Sequence, residues 1–242
     1  MKVVFISPYR NAKANLTNLC ASIDKQTDDR WQHIIIDDAS QDDQTLTDLT
    51  VGDSRRDVRV NTDRKWALRN IVDTARDYCR INCQAGGDDQ VIIATVDADD
   101  ELCNDDTVRL IIEEYEQNDK LDVLWTAHRW DINNLNVSGP MPNNVDPYEW
   151  PWCASHLRTF RASLLKNVSD DNFKDRHGEW FKRGYDQALM LPLLKTGRER
   201  KYLDKVCYLY KMDSCSIPLA ARPGSEIEQI HNISFIRARG YV

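Results

Sequence analysis

Val91-Ile92-Ile93-Ala94-Thr95-Val96-Asp97-Ala98-Asp99-Asp100 decides how the chain reads. Its first six residues are apolar or β-branched, the composition of a strand buried on both faces. The run then breaks into carboxylates. Successive strand residues point to opposite faces, so Asp97 and Asp99 converge only if the chain turns just after Val96. Converged carboxylates offer hard oxygen ligands to a divalent cation with positions left open for phosphate oxygens. The plainer alternative is a strand end followed by an Asp-rich turn that caps the next helix.

The stretches before it repeat the pattern. Lys2 to Ser7 reads as a buried strand, with Pro8 ending its ladder because proline has no N–H to donate. Leu16, Leu19, Cys20 and Ile23 carry helical spacing over Asn15 to Ile23. Trp31 to Ile36 is a second strand, running into Asp37-Asp38-Ala39-Ser40, and Thr45 to Leu49 is a candidate short helix. A short strand at Val58 to Asn61 and a helix over Lys65 to Arg80 precede the opening stretch. Strand and helix alternate, which implies a doubly wound, mostly parallel α/β sheet with ligands at the carboxyl edge of its strands. Neither a G-x-G-x-x-G turn nor a G-x-x-x-x-G-K-[ST] loop occurs, so carboxylates and metal are left to manage any phosphates.

Downstream, Asp106 to Asn118 is helical, and Leu121 to Trp130 alternates like a strand. Asp131 to Pro151, rich in Asn and Pro, reads as a mobile loop. A strand or turn follows through Arg158-Thr159-Phe160, with a helix near Ala162 to Leu165. Tyr185 to Thr196 is a helix with Gly197 placed as its C-cap, and Val206 to Tyr210 is a strand. The 242 residues suit one domain, divided into a half at 1–103, a half at 104–216 and a C-terminal tail at 217–242.

Seven scattered cysteines make no disulfide framework, and Cys79 with Cys83 lacks the partners of a zinc site. No apolar run approaches a membrane span, and Met1-Lys2-Val3 leads straight into a strand, so a cytoplasmic location is expected. The net charge of −7 is uneven: His156 to Lys211 holds 13 Lys/Arg against 7 Asp/Glu, a balance of +6. That basic segment suits an anionic partner, or it is ordinary solvated surface.

In order, Pro8-Tyr9-Arg10-Asn11, Asp37-Asp38-Ala39-Ser40, Arg69-Asn70, Asp97-Ala98-Asp99-Asp100, Tyr185-Asp186 and Tyr210-Lys211-Met212-Asp213-Ser214-Cys215-Ser216 resemble the motifs of the family 2 glycosyltransferases. These are inverting enzymes of GT-A fold, and the resemblance covers about Val3 to Ser216. Ala39 stands for the family's Gly, Tyr185 for its Glu and Asp213 for its metal-contacting His.

The resemblance implies transfer of a sugar from a nucleoside-diphosphate sugar, with a UDP-sugar favoured, to an acceptor hydroxyl. Asp38 would bind the nucleobase, its bare alternative being a helix cap. Pro8 and Arg10 would line the base and ribose pocket, and Asp97 with Ala98 would lie near the ribose. Arg64 and Arg69 are candidates for the diphosphate. Asp99 and Asp213 would bind Mn²⁺ or Mg²⁺, while Asp100 would ligate or only shape the turn. Asp186 would be the general base, because a single in-line displacement needs one carboxylate opposite the leaving group.

Trp150 and Trp152 are candidates to stack on a sugar ring, and Arg158, Arg161, Lys182 and Arg183 to meet an anionic acceptor. Such an acceptor is a phosphorylated glycan, a lipid-linked sugar or a hydroxylated base of viral DNA. Two other functions compete. A sugar-nucleotide nucleotidyltransferase would want a Gly-rich, basic first loop, which Pro8 to Asn11 is not. A non-catalytic sugar-nucleotide-binding protein would have no use for Asp186.

Overall fold

The structure, a computed structural model, describes residues 1–11, 13–41, 53–82, 90–212 and 224–242. The expected helix at Thr45 to Leu49 and the metal candidate Asp213 lie outside the described residues. Four strands run parallel in the order β3 (Arg56–Val60), β2 (Trp31–Asp37), β1 (Lys2–Tyr9), β4 (Val91–Thr95). Beyond β4 the same sheet continues through β7 (Arg158–Arg161), β6 (Leu121–Trp130), β8 (Glu199–Tyr210) and β5 (Glu101–Leu102). β7 pairs antiparallel with both β4 and β6, while β6 and β8 run parallel.

Helices cover both faces, as a doubly wound mixed α/β sheet requires. Alternate residues of β1 divide between the layers, because strand side chains alternate. Val3 and Phe5 join the core built with α1 (Lys13–Asp24) and α3 (Thr107–Gln117). Val4 and Ile6 join the core built with α2 (Trp66–Asn82) and α4 (Tyr185–Thr196).

Several expectations change. β1 continues through Pro8 to Tyr9, with Pro8 opposite Ile36. Pairing with β4 has already stopped at Ile6, so the missing N–H of Pro8 falls beside a freed edge. β6 does not alternate: Leu121 to His128 are buried throughout, since sheet neighbours and both helix layers cover it. β8 begins seven residues before Val206, at Glu199, its first part disguised by exposed charged residues and register shifts against β6.

Gly197 is the C-cap of α4, its N–H donating to the Leu193 carbonyl, but its backbone is extended at φ −66° and not left-handed. It is required by close approach, since a Cβ there would meet the Leu193 carbonyl oxygen at 3.0 Å and Asp122 Cβ at 3.3 Å. Residues 131–151 are irregular, as expected, but pinned. Trp125 Nε1 donates to the Gly139 carbonyl at 2.9 Å, and Arg200 donates to that of Pro142 at 2.7 Å. Residues 225–239 of the expected tail form a helix, α5 (Ser225–Arg239), tied to α4 where Arg237 donates to Gln187 Oε1 at 2.8 Å.

Three buried histidines, His33, His128 and His156, make stability depend on pH. Burial first, and then the Arg56 charge, hold His33 down at about 3; burial and Arg158 hold His128 at about 4. An unfolded histidine binds its proton near pH 6.5 and these native ones do not, so stability is lost as pH falls below that value. The slope is about 1.4 kcal/mol per pH unit for each histidine. Asp100, its pKa raised chiefly by burial and then by Asp97 and Asp99, works in the opposite direction. Urea unfolding between pH 6.5 and 5 should therefore show His33→Gln losing about one proton's worth of that slope. An unchanged slope would reject the assignment.

Candidate active site

A cavity of about 370 Å³ opens at the carboxyl edge of β1, β2 and β4. Pro8, Arg10 and Asp38 form one end; Asp97, Arg158, Tyr185 and Asp186 form the other. Strand order puts them there. β1 and β2 bring Pro8 and Asp38 to neighbouring ends, and β4 delivers Asp97 beyond Thr95.

Asp38 is 4% exposed and largely committed to its own chain. Its carboxylate accepts from the backbone N–H groups of Lys65 at 2.7 Å and Trp66 at 2.9 Å, and from Asn61 Nδ2 at 3.0 Å. The capping alternative is thus realised on the loop entering α2, not on the helix that follows β2. Asp38→Ala would leave two backbone donors without that acceptor, costing about 2–6 kcal/mol of stability at 1–3 kcal/mol per donor. Thermal melting without nucleotide checks this. Arg10 donates to the Asp38 carbonyl at 2.7 Å, and Ala39 carries the φ of +57° that a glycine would take more easily.

Trp66, which the sequence reading passed over, lines the cavity with φ +67°. A bulky residue in that region is strained, and the bond to Asp38 helps hold it there. The Arg64 guanidinium lies 3.4 Å over its ring centroid and 3.9 Å from Asp38 Oδ2. Arg69 points elsewhere: it pairs with Asp73 at 3.5 Å and does not line the cavity.

At the other end, Asp97 accepts a hydrogen bond from the Tyr185 hydroxyl. Its second oxygen stands 3.9 Å from His156 Nδ1 and 3.7 Å from Arg158 Nη2. Arg158 is 1% exposed, held through Nε to Thr95 Oγ1 at 3.2 Å. It is therefore no solvated steering charge, because its place on β7 opposite Thr95 buries it. Arg161, on the same strand, is buried away from the cavity and bonds the Leu121 carbonyl at 2.7 Å. Trp150 and Trp152 pack against the core.

Asp186 lies half-buried in the first turn of α4. Burial raises its pKa above the usual carboxylate range, Arg158 opposing. Gly184, at φ +69°, lets α5 approach: a Cβ there would meet Ile233 Cγ1 at 3.0 Å. Asn232 of α5 donates to the Arg183 carbonyl at 3.0 Å, and Gln229 reaches the cavity. Lys182, exposed, and Arg183 supply positive charge at the rim.

Among the described residues, Asp97, Asp100 and His156 form a group that could hold a metal ion, their ligand atoms lying within 4.8 Å of one another. Two carboxylates and an imidazole suit a borderline-hard divalent cation. The imidazole is available as a ligand, since burial, Arg158 and His128 keep it neutral. Asp100 is the least free of the three: its oxygens accept from the Tyr208 hydroxyl at 2.7 Å and the Lys211 N–H at 2.8 Å. Asp99 stays outside this convergent group, and Ala98 is buried in the core. His156 carried no local signal in the sequence. It reaches Asp97 only through the pairing of β4 with β7.

The family model described as glycosyl transferase family 2 matches residues 4–169. No curated protein matches the chain. Among solved structures, that of S. aureus TarS aligns at TM-score 0.65 and 19% identity over 97% of this chain and 39% of its own. The 1–349 form of TarS in complex with UDP-GlcNAc aligns at 0.64 and 18% identity, over 98% and 66%. The Pyrobaculum calidifontis mannosyltransferase PcManGT, with GDP-Man and Mn²⁺, aligns at 0.60 and 14% identity, over 98% and 63%. At these identities the likeness is one of fold, GT-A. The chain spans from two-fifths to about two-thirds of those structures.

Proposed function

The chain belongs to glycosyl transferase family 2, and from that premise we propose that it is an inverting enzyme moving a sugar from a nucleoside-diphosphate sugar to an acceptor hydroxyl. The observation that supports this is that Asp38, Asp97 and Asp186 line one cavity. A UDP-sugar is the preferred donor, given the UDP-GlcNAc complex of a structural neighbour.

Pro8, Arg10 and Asp38 bind the nucleoside, and Arg64 follows the diphosphate. Asp97 and His156 face the cavity and would hold a divalent ion, Mn²⁺ or Mg²⁺, with Asp100 behind them. When bound, the ion neutralises charge on the departing diphosphate. Asp186 takes the acceptor proton as that oxygen attacks the anomeric carbon. Tyr185 stands where the family has Glu and orients Asp97 instead of adding a second carboxylate. Isothermal titration with UDP, with and without Mn²⁺, tests the reading. Binding that is absent, or that survives loss of Asp38 and Asp97 together, would defeat it.

The acceptor is anionic in this reading. Of the four cations expected to meet it, Lys182 and Arg183 line the cavity near Asp186 and keep that role, while Arg158 and Arg161 are buried. Lys182→Glu should raise the acceptor KM, and the acceptor KM should rise with salt, because screening weakens steering. A salt-independent acceptor KM would point to a neutral acceptor.

A further inference from the structure

Two of the three ligand atoms that could hold a divalent ion already face a cation belonging to the chain. Arg158 Nη2 lies 3.3 Å from His156 Nδ1, and it stands 3.7 Å from Asp97 Oδ2. That carboxylate oxygen and that imidazole nitrogen are 3.9 Å apart. A divalent ion on Asp97 and His156 would draw on the same lone pairs the guanidinium now faces.

Arg158 cannot yield by losing its proton, because a guanidinium stays charged in proteins. Nor is it free to swing away. Its Nε is tied to Thr95 Oγ1, its backbone is paired to β4, and it is almost wholly buried.

We propose that Arg158 is a resident cation of the site. It holds Asp97 and His156 when no divalent ion is present, and it opposes that ion's binding until an anionic diphosphate arrives with it. The proposal rests on the metal-assisted reading given above. Like charges a few ångströms apart in a partly dry site repel strongly. Asp97 and Asp186 share the one guanidinium, and Asp100 is already engaged by the Tyr208 hydroxyl and the Lys211 N–H, so little negative charge is left for a further double cation. A diphosphate entering beside Arg64 and Asp97 supplies the missing negative charge. The divalent ion is thereby excluded alone and admitted with the donor, so Arg158 sets the order in which the two bind.

The test uses Mn²⁺ alone, followed by the electron paramagnetic resonance signal of the free ion, on the whole chain without nucleotide. Arg158→Met, similar in volume and neutral, should tighten Mn²⁺ binding at least tenfold, whereas Arg158→Lys, which keeps the charge, should not. Arg158→Gln serves as the second neutral variant should the methionine form melt early. Neutral variants that bind no tighter than wild type, or a lysine variant that gains as much as they do, would overturn the proposal. Adding Asp97→Asn to Arg158→Met should abolish the gain. If the double variant keeps it, the ion lies elsewhere and the metal reading itself falls. If Asp97→Asn alone weakens binding while Arg158→Met changes nothing, only the resident-cation proposal falls.

Discussion

Asp186→Asn is expected to slow sugar transfer roughly 10²- to 10⁴-fold, the contribution of a general base, while UDP affinity stays within about twofold. The separation follows from place: Asp186 lies in the first turn of α4, and Asp38 follows β2, on the far side of β1 from β4 and Asp97. A base works only when ionised. Burial raises the Asp186 pKa and Arg158 only partly opposes it, so activity falls on the acid side, with a limb lying above the ordinary carboxylate range. The Asn variant should lack that limb. Initial rates across pH, with binding measured in parallel, decide the matter. A wild-type rate, or the same limb in the variant, would move the base elsewhere. Asp175 would then be a poor substitute, since its carboxylate accepts from the His177 and Glu179 N–H groups and shapes a turn.

The second large effect is expected at Asp97. Asp97→Asn keeps a hydrogen-bond acceptor for Tyr185 but removes the only carboxylate of the metal group that lines the cavity. Transfer should fall roughly 10³-fold, the several kcal/mol that a Lewis acid supplies, and the Mn²⁺-dependent part of UDP binding should vanish. Exposed Asp105 provides the control, and Asp105→Ala should leave both unchanged. Asp99→Ala separates two placements of the ion. If Asp97, Asp100 and His156 hold it, Asp99→Ala keeps most of the affinity; if the D-x-D spacing alone governs, it loses as much as Asp97→Asn. Metal-independent binding by all three variants and the wild type alike would remove the ion from the reaction.

The sequence displayed what is local. A β-branched run such as Val91 to Val96 has few other fates, and the periodic apolar face of α3 and the continuous apolar run of α4 can be read by eye. Side-chain types at strand ends likewise betrayed Asp38 and Asp97 as cavity residues. What stayed hidden depends on pairing between distant stretches. Arg158 and Arg161 are cations in a basic segment, and nothing in their types says that β7 inserts between β4 and β6 and buries both. His156 and Trp66 were missed for the same reason, since strand registry or backbone twist, not composition, carries them to the cavity. The isoleucines of α5 repeat at helical spacing, yet Ile227 and Ile230 stay exposed, so the pattern there lacks a single buried face.

The insertion of β7 between β4 and β6 also bears on how the chain must fold. Residues 1–103 look self-sufficient, with the parallel strands and the carboxylate turn all present. Yet their last long strand, Val91–Thr95, finds its outer neighbour only in Arg158–Arg161, so until that distant segment arrives it presents an unpaired, largely apolar edge. Such an edge is a template for pairing with another chain. Closing it spans a long sequence separation, a kind of contact that slows folding. The first half made alone should therefore aggregate instead of binding nucleotide. In the full chain, the pairing that covers this edge is also the one that sets Arg158 beside Asp97.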